Sequence, residues 1–437
     1  MRMCIRPQDG YGATPIALGS RNRGPRAHHA NRHPRSNNKE TSMNRFKRNT
    51  VATLAAFAFA GPFASAEAAD TIKVGVIAEM TGGFADFGQQ MTTGARAYIK
   101  EHGDTVAGKK IELIVKDVGG PSPDVSKRLA QELVVQDKVD FIAGFGLTPN
   151  ALAVAPIATE AKKPTVIMNA ATSIITTKSP YMTRVSMTLP QVTAPLGDWA
   201  FKNGIRKVYI AVADYGPGYD AEGAFTKSFT AAGGQIVDKV RMPLTNPDYG
   251  PFVQRIKDAK PDAVFVFVPA GESAVGFMKA YAERGLKAAG IKLIATGDMT
   301  DDGVIDALGD NALGVITTHH YSAAHDSPEN KAFLAAYAAI DPNHRPNFMA
   351  VGGYDAMALI YSVVKQLDGN VDPDKAMAII KGAKLASPRG PILIDPDTHD
   401  ITQNVYVREV KRVNGKLYNV EFATIPMVKD PGKDAAK

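Results

Sequence analysis

The chain has 437 residues, 45% of them apolar and 22% charged, a globular composition that excludes disorder throughout and suffices for two domains of average size. A formal charge of +7 points to a nucleic-acid or anionic-membrane partner only if the excess sits in the folded part. It does not: residues 1–69 hold eleven Lys or Arg against three acids, leaving 40 basic and 41 acidic groups beyond them, and a nucleic-acid reading loses its main support.

Residues 1–42, rich in Arg, Asn, Pro and His, show no hydrophobic periodicity. Met43 opens a complete three-part export pattern, so translation is expected to begin there. Arg45, Lys47 and Arg48 precede an apolar run over 51–60 and a small-residue segment, the layout of a secretory signal peptide. The small-x-small rule predicts cleavage between Ala66 and Ala69. The apolar run is shorter than the ~20 residues a membrane anchor needs, and no adjacent Arg pair precedes it, which favours the general export route. An amphipathic organelle-targeting peptide fits the Arg-rich first 42 residues better than it fits the Ala/Phe run. Cys4, the one cysteine, lies in this leader, so the mature chain has no disulfide, no Cys metal site and no thiol nucleophile. An exported, disulfide-free protein of this size is placed in a bacterial periplasm.

Beyond the leader, short β-rich runs alternate with amphipathic stretches of helical length, the pattern of a parallel sheet covered by helices on both faces. Strands are predicted at 72–78, 111–116, 140–143 and 165–168, with helices at 88–100, at 123–136 and from Pro149. A second series follows. Its helices are expected at 191–203, 219–232, 249–258 and 272–285, and its strands at 207–213, 235–242, 263–268, 292–295 and 315–318. After Tyr321 come longer helices at 329–340 and 349–367, then 373–381. A closing hairpin, 405–413 with 416–422, turns at Asn414-Gly415. No flexible linker separates the two series, which predicts several crossings and a hinge.

Familiar catalytic and metal motifs fail on inspection. The segment 103–110, GDTVAGKK, has Lys110 where a phosphate loop needs Ser or Thr, and a strand follows it. Gly144-Phe145-Gly146-Leu147-Thr148-Pro149 lacks the third glycine of a dinucleotide fingerprint. It still offers backbone N–H groups at a helix start, an anion site, or else an ordinary turn. His319, His320 and His325 have no Cys or acidic group at ligand spacing and read as solvated or cleft-wall residues. Trp199 reads as core. Binding without chemistry is the leading class.

The segments IKVGVIAEMTGGFADFGQQMTTGARAYI, IELIVKDVGGPSPDVSKRLAQELVVQDKVDFIAGF, Ala170-Ala171-Thr172, the DYGPG loop from Asp214, and AGGQIVDKVRMPLTNPDYGPFVQRIKDAKPDAVFVF match in order and spacing. In them the mature chain resembles the leucine/isoleucine/valine-binding group of type I periplasmic binding proteins, solute receptors of branched-chain-amino-acid-type ABC importers. The resemblance implies an α/β fold of two Rossmann-like lobes joined by a three-crossover hinge. The lobes are expected at 70–187 plus 321–398 and at 188–320 plus 399–425, with a tail over 426–437. It implies a monomer without turnover or cofactor, capturing a small-molecule ligand and delivering it to an ABC permease and ATPase complex in the inner membrane.

Carried over position by position, the resemblance assigns Thr148 and Thr172 to the ligand carboxylate, Ala170 by its backbone, and Phe87 to the first loop. Tyr215 or Tyr219 replaces the second-lobe tyrosine, Asp298 falls where the family's ammonium-binding acid stands, and Phe145 and Tyr321 are further wall candidates. The family's aromatic after 268 is replaced by Ala270 or Gly271, which suggests a ligand bulkier than leucine. The alternatives left open are an aromatic carboxylate, a branched-chain amino acid, an amide and urea; the rival classes are an exported hydrolase and a ligand-sensing subunit.

Overall fold

The computed structural model describes residues 71–433; the expected signal peptide and residues 1–42 lie outside the described residues. The first sheet contains β1 (Thr71–Ala78), β2 (Thr105–Val106), β3 (Lys109–Asp117), β4 (Phe141–Gly144), β5 (Thr165–Ile167) and β6 (Met182–Arg184). Its order is β2-β3-β1-β4-β5-β6, all parallel except β2. The second contains β7 (Lys207–Ala213), β8 (Gln235–Met242), β9 (Ala263–Phe267), β10 (Lys292–Thr296) and β11 (Ile316–His319), joined by β12 (Lys384–Ser387), β13 (Gly390–Ile394), β14 (Ile401–Val413) and β15 (Lys416–Val428). Its order is β12-β13-β14-β11-β10-β9-β7-β8, with β15 on the far side of β14. The central strands are continuous apolar runs because both faces are covered: β4, β5 and β9 are buried at every position.

The helices are α1 (Ala85–His102), α2 (Pro123–Glu132), α3 (Thr148–Glu160), α4 (Leu189–Lys202), α5 (Gly216–Ala231), α6 (Gly250–Ala259), α7 (Glu272–Glu283), α8 (Ile305–Leu308), α9 (Pro328–Ala338), α10 (Phe348–Gln366) and α11 (Pro373–Ile380). Helices α9 and α10 return to pack on α1. The α1–α10 contact is backbone-close: a Cβ added at Gly94 would lie 1.9 Å from the Ala350 carbonyl oxygen, and one at Gly353 would lie 2.0 Å from that of Met91.

The chain passes between the two halves after β6, after β11 and after α11. The last passage differs from the expected partition. Residues 384–394, grouped by the sequence reading with the first lobe, form β12 and β13 and extend the second sheet through β14. The expected tail is also shorter, since β15 continues to Val428 and Lys433 pairs with Asp400 at 3.2 Å. The segment 103–110 is the β2–β3 turn, with Ala107 and Gly108 both at positive φ.

Candidate functional site

In open α/β sheets the natural crevice lies beyond the carboxyl ends of the strands, where strand order reverses. Here the first sheet reverses about β1, flanked by β3 and β4, and the second about β7, flanked by β8 and β9. Residues just past these strand ends meet in one small cavity lined by Phe87, Gly146, Thr148, Asn169, Ala171, Met187 and Leu189 from one side and Tyr215, Pro217, Phe267, Pro269 and Asp298 from the other. Its free space is about 10 Å³, roughly one water, so the two walls are closed on each other.

The first wall carries paired hydroxyls. Thr148 is the first residue of α3 and Thr172 precedes a 3-10 turn, yet neither hydroxyl caps its helix. Their Oγ1 atoms lie 3.1 Å apart, and the Thr172 N–H points at Thr148 Oγ1 at 3.4 Å. Two hydroxyls and a backbone N–H are the polar groups here, and the buried Arg184 guanidinium donates to the Thr172 carbonyl at 2.8 Å. Beneath them, Glu79 is fully buried and accepts the Gly146 N–H at 3.0 Å and the Asn150 Nδ2–H at 2.8 Å. Burial pushes its carboxyl up to about 7. A Cβ at Gly146 would meet Glu79 Oε2 at 2.2 Å, so only glycine lets this loop lie on the carboxylate.

The second wall supplies the apolar body and an acceptor. Tyr215 stacks with Phe267, ring centroids 6.1 Å apart, and burial together with Asp298 holds its phenol well above the ordinary range. Asp298 is buried and accepts the Thr296 hydroxyl at 2.9 Å, with His319 Nε2 at 3.7 Å. Burial lowers His319 to about 4, so its ring is neutral near pH 7. The Arg408 guanidinium lies under Gly297, where a Cβ would approach Nη2 to 2.3 Å, and it donates to the Thr317 hydroxyl and the Tyr321 carbonyl.

Of the nine residues singled out from sequence, Phe87, Thr148, Tyr215 and Asp298 line this cavity and Thr172 adjoins it through its hydrogen bond to Thr148. Four do not. Phe145, at φ 66°, turns into the core under the first sheet, because its N–H bonds the Ile77 carbonyl and its side chain is fully buried there. The Ala170 N–H is taken by the Phe145 carbonyl at 2.8 Å, and the neighbouring Ala171 lines the cavity in its place. Tyr219 is 44% exposed, donating to Asp214 at 2.9 Å under the Arg241 guanidinium. Tyr321 is core, its hydroxyl on Asn330.

Ala270 and Gly271, expected to enlarge the pocket, are replaced at its wall by Phe267 and Pro269. Of the histidines read as solvated or cleft-wall residues, His319 and His320 are fully buried, His319 lying 3.7 Å from the cavity-lining Asp298, and His325 pairs with Glu421 at 2.8 Å. Trp199 is partly buried against Phe422. Sequence reasoning missed Glu79, Asn150 and Asn169; an acid directly after the apolar strand run ending at Ala78 was the available signal for Glu79. No group of His, Cys, Asp and Glu among the described residues is arranged to hold a metal.

Two Rossmann-like lobes shut on a small cavity, with paired threonine hydroxyls on one side and an aromatic wall on the other, have the form of a solute receptor. The chain belongs to the periplasmic binding protein family, whose model matches residues 71–416. It is 47% identical over 391 residues, 89% of this chain and all of the relative, to Leu/Ile/Val-binding protein homolog 6 of Brucella melitensis. Among solved structures it resembles an ABC-transporter solute-binding protein of Rhodopseudomonas palustris BisB5 in complex with 3,4-dihydroxybenzoic acid, at 57% identity and TM-score 0.81, covering 83% of this chain and 99% of that one. A second, from R. palustris HaA2 in complex with p-hydroxybenzoic acid, matches at 50% identity and TM-score 0.82 over the same shares. No helix among the described residues is long and apolar enough to cross a membrane.

Proposed function

We propose that this protein is a periplasmic receptor for hydroxylated benzoates, closing on the ligand and handing it to an ABC permease and ATPase complex in the inner membrane. It acts as a monomer, after removal of the leader between Ala66 and Ala69, and returns its ligand unaltered. Thr148 and Thr172 take the carboxylate, Phe87, Leu189, Tyr215 and Phe267 sandwich the ring, and Asp298 accepts from a ring hydroxyl.

The observation that carries this reading is the aromatic wall, Tyr215 stacked on Phe267 beside the buried Asp298. Asp298 already accepts the Thr296 hydroxyl, and a ring hydroxyl can donate to it in the same way. A phenol is neutral and donates. The relatives complexed with hydroxybenzoic acids support the same choice; the name of the Brucella relative makes leucine the control.

Calorimetric titration of the exported protein with 4-hydroxybenzoate, benzoate, leucine and phenylalanine tests it. Tight binding of the hydroxybenzoate, recovered chemically intact, is expected. Strong binding of leucine with none of the aromatic acids would overturn it, and turnover of any ligand would replace the receptor with the hydrolase.

A further inference from the structure

One cavity group has no place in the assignment above. Asn169 sits just beyond β5, more than nine-tenths buried, and lines the cavity. Its Nδ2 donates to the Gly146 carbonyl at 2.8 Å. That bond fixes which end of the amide is which. The oxygen, Oδ1, is therefore the free end, and it is buried with no hydrogen-bond partner.

The protein has little scope to satisfy it internally. The Gly146 loop is pinned on Glu79, and the Thr148 and Thr172 hydroxyls bond each other. A buried acceptor left unpaired is costly, so a ligand that displaces water from this cavity should bring a donor to it. The cavity thus presents two acceptors from opposite lobes, Asn169 Oδ1 and Asp298, in addition to its paired hydroxyls. A benzoate with one hydroxyl supplies one donor.

Resting on the hydroxybenzoate reading, we propose that Asn169 is a specificity residue that accepts a hydrogen bond from a second ring hydroxyl, so that the receptor prefers dihydroxybenzoates to monohydroxybenzoates. The same logic lets a polar site reject an analogue lacking the matching group far more strongly than an apolar pocket does.

The test is the ratio of dissociation constants for 4-hydroxybenzoate and 3,4-dihydroxybenzoate, measured by calorimetry on the wild type, Asn169→Leu and Asn169→Asp. Both substitutions lose the bond to Gly146, but only Asp keeps an acceptor at this position. The wild type is expected to favour the dihydroxy acid about tenfold or more. Asn169→Leu should bring the ratio to within about twofold of unity, and Asn169→Asp should keep the preference whatever its absolute affinities.

A wild type that binds both acids equally overturns the role of Asn169 while leaving the hydroxybenzoate reading intact, and needs no variant to fold. A preference that persists in Asn169→Leu, or is lost equally in both variants, shows that Asn169 only positions the Gly146 loop. Binding of leucine alone, with neither acid, ends both readings.

Discussion

Thr148 and Thr172 were singled out by the family resemblance, and the structure sets their hydroxyls 3.1 Å apart with neither capping its helix. Thr148→Val keeps the volume and removes the donor, so affinity for 4-hydroxybenzoate should fall by about 1–3 kcal/mol with the fold retained; an unchanged dissociation constant would take Thr148 out of the site. Phe145 and Tyr321 misled because an aromatic in a loop looks alike whether it faces a cleft or a core, and only the positive φ at Phe145 decides its direction. Glu79 stood out only as an acid after an apolar strand, because its role depends on Gly146 and Asn150, some 70 positions away. Its carboxyl is raised from 4.5 to about 7 in the fold, so the folded state holds the proton more tightly than the unfolded chain. Its contribution to stability is full below about 4.5 and is lost as pH rises through about 7. The fall in melting temperature between pH 5 and 8 should therefore be smaller in Glu79→Gln than in the wild type; parallel profiles would show that Glu79 does not titrate in this range.

At the scale of elements, the parallel strands were legible because burial on both faces leaves uninterrupted apolar runs, and the predicted 72–78 and 207–213 fall on β1 and β7 almost residue for residue. The closing hairpin was legible from Asn414-Gly415, whose φ values of 49° and 81° are those of the primed turn that fits twisted strands. Strand β6 and the pair β12 and β13 escaped because they are three to five residues long and mix polar with apolar positions, too short for a period to show. The closeness of α1 and α10 escaped as well, since Gly94, Gly352 and Gly353 read as helix-weakening residues until their neighbours are known. Gly353→Ala places a methyl 2.0 Å from the Met91 carbonyl oxygen, against backbone and not a flexible side-chain tip. It should cost about 1–3 kcal/mol by forcing the helices apart, read as a lower denaturation midpoint; an unaltered midpoint would show that α10 can shift freely.

The whole molecule works only if the two walls separate, because the cavity between them admits little more than a water. Closure is held outside the cavity too. The Ser173 N–H, on the first lobe beside Thr172, donates to the Asp220 carboxylate on α5 of the second lobe at 2.9 Å. The Ser173 hydroxyl meets Asp430 at 2.5 Å, and Lys433 reaches Thr176 at 2.8 Å, so the chain past β15 straps the same loop. These contacts form in the closed state whatever the ligand, which makes them a ligand-independent share of the closing free energy. A ligand can shift the open and closed populations only by its differential affinity for them. Scattering profiles should contract on adding saturating 4-hydroxybenzoate, and identical profiles would argue against the hinge. Asp220→Ala removes the latch acceptor without touching the cavity, so it should weaken every ligand by the same factor, chiefly through faster release in stopped-flow measurements, while Asp220→Asn, which keeps a carbonyl acceptor, should recover most of the loss. Because the factor is common to all ligands, the preference between hydroxybenzoates should not move in either variant; a change in that preference would mean that Asp220 acts on the pocket and not on closure.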